Sequence, residues 1–334
     1  MASLVGSRVE RKEDKKLLTG RGKYTADVNF VNQTFAYFVR SPHARAQIKK
    51  VDTSKALKAP GVISVLTGAD IANDKIGGLI AGWKIKSEDG SDMKVPAHPP
   101  LASDTVNYVG DHVAVVIAES IDEARNAAEL VKVDYKILKA VVDTKEAMNS
   151  DQIYKDIPKN LCFDWLLGDR AKVKEAFDKA DKIIKIDLIN NRLVPNAMEP
   201  RAANADYNPS TEEITLYSTS QNPHLARIII SAFNGVAPEN KLRVIAPDVG
   251  GGFGSRGHAG PEYVVLAWAA KRLGCPVKWT STRVEAFVSD WQGRDMELTG
   301  SLGFDGDGKI KAYKLEALVN IGAYAICYAP PANL

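Results

Sequence analysis

A run of glycines close to position 250 constrains the fold of this chain more than any other feature of its sequence. Residues 250–257 read Gly-Gly-Gly-Phe-Gly-Ser-Arg-Gly. The apolar segment 242–246 predicts a buried strand before the run, and residues 261–272 predict a helix that Gly274 closes. A glycine loop in this position lets backbone N–H groups approach a ligand near a helix amino terminus, which suits a phosphate or a polar cofactor. A plain turn between a strand and a helix explains the glycines equally well.

The same loop supports a hypothesis of dinucleotide binding. Gly252, Gly254 and Gly257 match the GxGxxG spacing of a nucleotide-binding strand–helix–strand unit. Such a unit normally opens its domain and ends its second strand in an acidic residue that binds the ribose, whereas here the second predicted strand is followed by Arg283. Because an arginine suits a 2′-phosphate, an NADP-dependent dehydrogenase remains an alternative.

Strand and helix patterns alternate along the rest of the chain, which predicts mixed α and β structure. The clearest example starts with a β-branched run at 113–117, which predicts a strand. Ser120 and Glu123 follow at the spacing of a capping box, so we expect a helix there and a second strand at 133–137. Other predicted elements are a short helix at 54–57, a strand at 62–66, helices at 170–181 and 223–233, strand alternation at 184–188 and a hairpin over 297–319.

Two polar stretches interrupt the strand and helix patterns, and only the second divides the chain. Residues 77–100 are rich in Gly, Lys, Ser, Asp and Pro without periodicity, so we expect an exposed loop inside the first domain. The strand pattern stops near residue 142, and a polar stretch continues to about residue 164. This second stretch predicts a boundary, after which a second domain begins.

Composition excludes several classes of function. The 334 residues carry 44 Lys plus Arg against 41 Asp plus Glu, and a net charge of +3 is too small to indicate nucleic-acid binding. The three cysteines and five histidines show no metal-ligand spacing, so no direct metal ligand is expected. No apolar window is long enough for a membrane span, and residues 2–16 lack the apolar core of a signal peptide. A cytoplasmic location is therefore expected.

Several segments taken together resemble the large, molybdenum-binding subunit of the xanthine oxidase family of molybdenum hydroxylases. Their sequences are most similar to those of the carbon monoxide dehydrogenases and bacterial aldehyde dehydrogenases of that family. The resemblance implies an α+β fold, with a small α/β hammerhead domain at residues 1–145 and the first, incomplete part of a molybdopterin-binding domain at residues 146–334. The segments that carry the resemblance are residues 18–20, 40–44, 109–111, 198–201, 219–224, 246–254 and 322–324.

The resemblance also implies a cofactor and four residues that bind it. Gln221 would donate a hydrogen bond from its side-chain amide to an oxygen ligand of molybdenum without binding the metal itself. Gly252, Phe253 and Gly254 would lie against the molybdopterin and the metal, with Phe253 forming a wall of the substrate pocket. The cofactor is expected to be molybdenum–molybdopterin in its cytosine dinucleotide form. The implied reaction oxidises an aldehyde, an N-heterocycle or carbon monoxide, with water as the oxygen source.

Partner chains are implied as well. Electrons would leave through subunits that carry iron–sulfur clusters and FAD, since this chain has too few cysteines for such clusters. The family's catalytic base is a glutamate near the carboxyl terminus of a much longer subunit, so no catalytic residue is expected here, and a complementary molybdopterin-binding chain would have to supply it. Gly257 stands where the purine-oxidising branch has a glutamate, so purines are not the expected substrates. The alternative is a non-catalytic truncated remnant with an exposed apolar region at 319–334.

Overall fold

The computed structural model describes residues 5–326, which form three β-sheets with helices packed against them. This arrangement confirms the predicted α+β fold. The strands are β1 (Thr34–Arg40), β2 (Ala46–Asp52), β3 (Val62–Thr67), β4 (Thr105–Val106), β5 (His112–Ala118), β6 (Lys132–Ile137), β7 (Lys182–Asn190), β8 (Ala202–Asn208), β9 (Glu213–Ser218), β10 (Leu242–Ile245), β11 (Val277–Thr280), β12 (Met296–Phe304) and β13 (Ile310–Val319). The α-helices are α1 (Asp14–Leu18), α2 (Gly68–Asn73), α3 (Ile121–Ala128), α4 (Thr144–Ala147), α5 (Arg170–Asp178), α6 (Pro223–Ile228), α7 (Pro261–Leu273) and α8 (Arg283–Ser289). Short 3₁₀ turns lie at Thr25–Asp27, Ala56–Lys58, Pro158–Asn160 and Glu239–Lys241.

A seven-stranded sheet forms the centre of the molecule. Its strand order is β10-β9-β8-β11-β1-β5-β3, so it contains strands from both sides of residue 145. β1 pairs with β11 in parallel, and Thr34 lies opposite Val277. The helix α7 packs against β8, β9 and β11, and its residues 261–270 are all buried. Burial of the first ten residues of α7, and the pairing of β1 with β11 on one edge and β5 on the other, indicate one shared apolar core.

A separate three-stranded sheet, with strand order β13-β12-β7, is packed differently. Phe177 and Ala180, in and just after α5, lie beside Gly303 on one of its faces. The strand register places a second set of side chains on the opposite face, where they are about half exposed. These side chains are Ile184, Ile186, Leu188, Tyr313 and Leu315. We call this set the open face.

The local elements largely match the sequence predictions. In α3 the Ser120 hydroxyl accepts the backbone N–H of Glu123 at 3.2 Å, which confirms the predicted start of the helix. The strands on either side of α3, β5 and β6, belong to different sheets. The helix predicted at 223–233 is α-helical only to Ile228 and continues as a π-turn, where the Ser231 hydroxyl bonds back to the carbonyl of Arg227 at 2.8 Å. The predicted hairpin is formed by β12 and β13.

Two predictions about exposed segments need correction. The loop at 77–100 is irregular, but Met93 is buried and packs with Ala325 in a small apolar cluster. Of the carboxyl-terminal stretch expected to be exposed, the described part is partly buried. Tyr324 stacks on His98, and its hydroxyl donates to Asp111 at 3.1 Å. Both corrections have one cause, since this loop and this stretch cover each other's apolar atoms. Residues 327–334, including Cys327, lie outside the described residues.

Candidate functional site

The glycine loop leaves β10 and leads to α7, and its backbone is shaped around positions that favour glycine. Gly251 and Gly254 have φ values of 111° and 89°, in the region that L side chains rarely adopt. Phe253 lies between them with φ of 50°, although it is not a glycine, and 73% of its surface is exposed. A strained backbone that presents a large apolar side chain to solvent is typical of a ligand-binding position.

Gln221 is held directly against this loop. It follows β9, and its side-chain Oε1 accepts the backbone N–H groups of Gly254 at 2.9 Å and Arg256 at 3.3 Å. Its own backbone N–H donates to the carbonyl of Arg256 at 2.9 Å. Because two donors point at the same side-chain atom, that atom is the amide oxygen and the other is the NH₂ group. Within residues 5–326 this NH₂ group has no hydrogen-bond acceptor, so it is available to a ligand.

The close approach of Gln221 depends on glycine at position 252. A β-carbon at Gly252 would lie 2.3 Å from Cδ of Gln221, a separation that real β-carbons do not show. The structure therefore brings together the four residues that the sequence singled out, because Gln221 contacts the loop formed by Gly252, Phe253 and Gly254. An amide donor beside an exposed backbone without side chains fits a flat group that presents a hydrogen-bond acceptor, such as a pterin cofactor.

A buried ion pair supports the loop, and sequence reasoning gave its members no role. Arg256 is 1% exposed, and its guanidinium donates to the carbonyl of Gly251 at 2.6 Å and to the carbonyl of Glu199. It also lies 3.3 Å from the Glu199 carboxylate, which accepts the N–H of Gly250 at 2.7 Å. Burial raises the pKa of Glu199 and lowers the pKa of Arg256. The available signals were the position of Arg256 within the glycine motif and the position of Glu199 within segment 198–201, one of those that carry the family resemblance.

A larger ion network lies beside the first turn of α7. Glu262 is fully buried and contacts Arg40 at 3.2 Å, His112 at 2.9 Å and Arg201 at 2.6 Å, and Arg201 also binds Asp290 at 2.6 Å. Burial alone would raise the pKa of Glu262, but Arg201, the contact with His112 and Arg40 hold it well below its usual value. Burial also lowers the pKa of His112 to about 4. The network joins β1 and β5 to the segment that carries Glu199.

The dinucleotide hypothesis is wrong. In a nucleotide-binding unit of the GxGxxG type, the strands before and after the helix are parallel neighbours in the sheet, and the amino terminus of the helix is open to phosphate. Here β10 and β11 are separated by β9 and β8 in the sheet. The amino terminus of α7 is also filled, since a β-carbon at Gly260 would lie 2.7 Å from Nη1 of Arg201.

Other sites are not indicated by the structure. Residues 5–326 contain no group of three or more His, Cys, Asp or Glu side chains arranged to hold a metal ion. His224, which follows the Gln221 motif, is exposed and lines a surface cleft of about 440 Å³ beside β10. Among the same residues, no helix is long and apolar enough to cross a membrane.

Two family models cover most of this chain. The aldehyde oxidase and xanthine dehydrogenase a/b hammerhead domain matches residues 19–139, and the molybdopterin cofactor-binding domain matches residues 153–333. The chain belongs to the xanthine oxidase family of molybdenum hydroxylases. It is part of the molybdenum-binding large subunit, and the resemblance drawn from its sequence is confirmed.

Members of this family with known roles are similar along almost the whole chain. The nicotine 6-hydroxylase large subunit of Paenarthrobacter nicotinovorans is 35% identical in an alignment of 338 positions that covers 99% of this chain and 40% of that protein. The carbon monoxide dehydrogenase large chain of Afipia carboxidovorans is 35% identical in an alignment of 342 positions that covers 98% of this chain and 40% of that protein. The chain therefore spans about two fifths of the length of these curated relatives.

Solved structures of the family have the same fold. Carbon monoxide dehydrogenase from Oligotropha carboxidovorans superposes with a TM-score of 0.84 at 35% identity, over 93% of this chain and 39% of that chain. Quinoline 2-oxidoreductase from Pseudomonas putida 86 superposes with a TM-score of 0.82 at 31% identity, over 93% of this chain and 39% of that chain. The hammerhead and molybdopterin-binding folds expected from the sequence are thus confirmed.

Proposed function

We propose that this chain is the amino-terminal part of the molybdenum-binding subunit of a hydroxylase that oxidises an aldehyde, an N-heterocycle or carbon monoxide with water as the oxygen source. The observation that carries the proposal is the arrangement of Gln221, whose amide oxygen is bound by the glycine loop while its NH₂ group is unused within the described residues. We assign the hammerhead unit to residues 1–145 and the molybdopterin-binding unit to residues 146–334.

The proposed site binds the molybdenum cofactor mainly through shape and one amide. When bound, the cofactor supplies the oxygen-transfer chemistry and accepts two electrons. Gln221 donates a hydrogen bond to an oxygen atom of the bound cofactor, and the fixed loop holds that donor in place. Gly252 and Gly254 let the pterin approach the backbone, and Phe253 forms an apolar wall that excludes water from the substrate. We propose the cytosine dinucleotide form of the pterin.

The proposal requires partner chains. A complementary chain would complete the molybdopterin-binding region and supply the glutamate base, in agreement with the two-fifths coverage of the relatives. Separate subunits would carry iron–sulfur clusters and FAD, and the names of two relatives, a large subunit and a subunit gamma of a complex, support a multi-subunit enzyme. We place the assembly in the cytoplasm.

The first test is the molybdenum content of the native complex, captured from its own cells through an amino-terminal tag on this chain. About one molybdenum atom for each copy of the chain is the result expected of a working hydroxylase component. A metal-free complex would overturn the proposal and favour the truncated remnant.

The second test is Gln221→Ala in the same complex. Loss of one preorganised donor at a reacting centre lowers kcat by about 10²–10³-fold, and we expect a loss of this size with the subunits still assembled. Gln152→Ala is the matched control, because the Gln152 amide donates only to carbonyls of its own loop and should leave turnover unchanged. Wild-type turnover in Gln221→Ala would refute the assignment of this residue.

A further inference from the structure

The buried charge of Arg256 requires a partner, and the structure provides one that belongs to the site. A guanidinium without access to water is strongly unfavourable unless it is paired and hydrogen-bonded. Nη1 of Arg256 contacts both the Glu199 carboxylate and the carbonyl of Gly251, and Nη2 donates to the carbonyl of Glu199. Its side chain therefore joins the glycine loop to the segment that precedes β8.

Glu199 makes the same connection from the opposite direction. Its carboxylate accepts the N–H of Gly250 at 2.7 Å, and its backbone N–H donates to the Gly250 carbonyl at 3.2 Å. The other carboxylate oxygen accepts the hydroxyl of Thr219 at 3.4 Å, two residues before Gln221. Glycine at 250 is required for this approach, since a β-carbon there would lie 2.5 Å from Cβ of Glu199.

Arg256 also holds Gln221 through its backbone. Its N–H donates to the Gln221 side chain, and its carbonyl accepts the Gln221 backbone N–H. One residue thus binds the loop with its side chain and orients Gln221 with its peptide groups. A change in the Arg256 side chain is therefore transmitted to the direction of the Gln221 amide.

We propose that the Arg256–Glu199 pair is a positioning device, which fixes the glycine loop so that the Gln221 NH₂ group points at the cofactor. Neither side chain touches the reacting atoms. The proposal rests on the proposed function for the identity of the ligand, whereas the effect of the pair on the loop can be measured in the protein without reference to turnover.

Arg256→Gln in the native complex removes the charge and the forked donor. We expect faster amide hydrogen exchange in the peptide spanning 250–257, and a fall in kcat of about 10–100-fold, which is usual for groups that support a cofactor-binding residue. Glu199→Gln should give the same pattern more weakly, because an amide oxygen still accepts from Gly250. Arg256→Lys keeps the charge beside Glu199 and should recover part of the loss. These two milder variants also serve if Arg256→Gln does not fold.

A double-mutant cycle with Gln221→Ala separates positioning from a general structural role. If the pair acts through Gln221, adding Arg256→Gln to Gln221→Ala causes little further loss of kcat. The proposal is overturned if the kcat losses of the two substitutions multiply in the double variant. It is also overturned if the amide hydrogen exchange of residues 250–257 in Arg256→Gln equals that of wild type. Arg272→Gln is the control, since Arg272 pairs with Asp70 and Asp74 away from the loop and should change neither readout. A complex without molybdenum would overturn only the proposed function. Amide hydrogen exchange of residues 250–257 would still test the role of the Arg256–Glu199 pair.

Discussion

The seven-stranded sheet and the three-stranded sheet have similarly apolar strands, yet they differ in what covers them. In the first, α7 lies against the strands, and its first ten residues are buried. In the second, the open face leaves large side chains about half exposed, with Ile186 at 53%. The comparison teaches that the candidate site depends on the covered region, because Gln221 follows β9 and the glycine loop connects β10 to α7.

The two regions also differ in the burial of their ion pairs. The covered region contains the Glu262 network, in which buried charges compensate one another. The ion pairs around the three-stranded sheet are solvent-exposed, as in the contact between Lys314 and Glu316. A buried pair destabilises strongly when one partner is removed, whereas an exposed pair contributes little. The same kind of substitution should therefore lower the free energy of unfolding more in the covered region than on the three-stranded sheet.

Glu262→Ala should have the largest effect on this comparison. Removing the carboxylate leaves Arg40 and Arg201 buried with less compensation, and the free energy of unfolding should fall by about 3–5 kcal/mol. Urea unfolding of the chain, followed by circular dichroism, measures this change. Glu316→Ala on the three-stranded sheet is the control and should be nearly neutral. Equal losses from the two substitutions would break the comparison.

Acidification should have the second largest effect, and it should destabilise the covered region. Burial lowers the pKa of His98 to about 3, His112 to about 4 and His258 to about 3, so these side chains bind protons mainly after unfolding. Stability present above pH 6.5 is therefore lost as the pH falls toward these values. Asp111 has the opposite sign, because burial raises its pKa to about 6 and stability declines as the pH rises from about 4 to 6.

His98→Phe removes one of these protonation sites, and a phenyl ring can keep the stacking on Tyr324. Between about pH 6 and pH 4, the slope of unfolding free energy against pH should decrease by about 1.4 kcal/mol per pH unit, the contribution of one proton. An unchanged slope in His98→Phe would mean that this ring is already protonated in the folded protein.

Ile186→Thr on the open face should have the smallest effect. The side chain is half exposed, so the chain alone should change in unfolding free energy by no more than about 0.5 kcal/mol. Leu266→Ala in α7 removes a fully buried side chain and should cost about 2–5 kcal/mol. Thermal unfolding of both variants sharpens the contrast. A cost at Ile186 near that at Leu266 would show that the open face is covered in solution.

Local signals in the sequence were sufficient for the elements and for part of the site. The Ser120 cap, the β12–β13 hairpin and the glycine loop were predicted because each depends on neighbouring residues. The expectation that Gln221 and Gly252 both lie at the cofactor came from the family resemblance, since no periodicity relates positions 31 residues apart. Their direct contact was found only in the structure. The supporting role of Arg256 depends on three-dimensional contacts with Glu199, which a single sequence does not encode in any readable spacing.

Non-local pairing explains the remaining failures. The dinucleotide hypothesis assumed that consecutive strands β10 and β11 lie close together, but β8 and β9 lie between them. The exposed carboxyl-terminal stretch was inferred from its apolar composition, and Tyr324 is buried because the loop that carries His98 covers it. Composition indicates that such residues need partners, but it does not say which distant segment provides them.

The parallel pairing of β1 with β11 has a consequence for synthesis on the ribosome. Thr34 cannot pair until Val277 has been synthesised, 243 residues later. At about 5–20 residues per second, one edge of β1 remains unpaired for roughly 12–50 s after it leaves the ribosome. An unpaired strand edge is a site for aggregation. A ribosome pause before residue 277 would lengthen this interval, and with it the time during which the unpaired edge of β1 can aggregate.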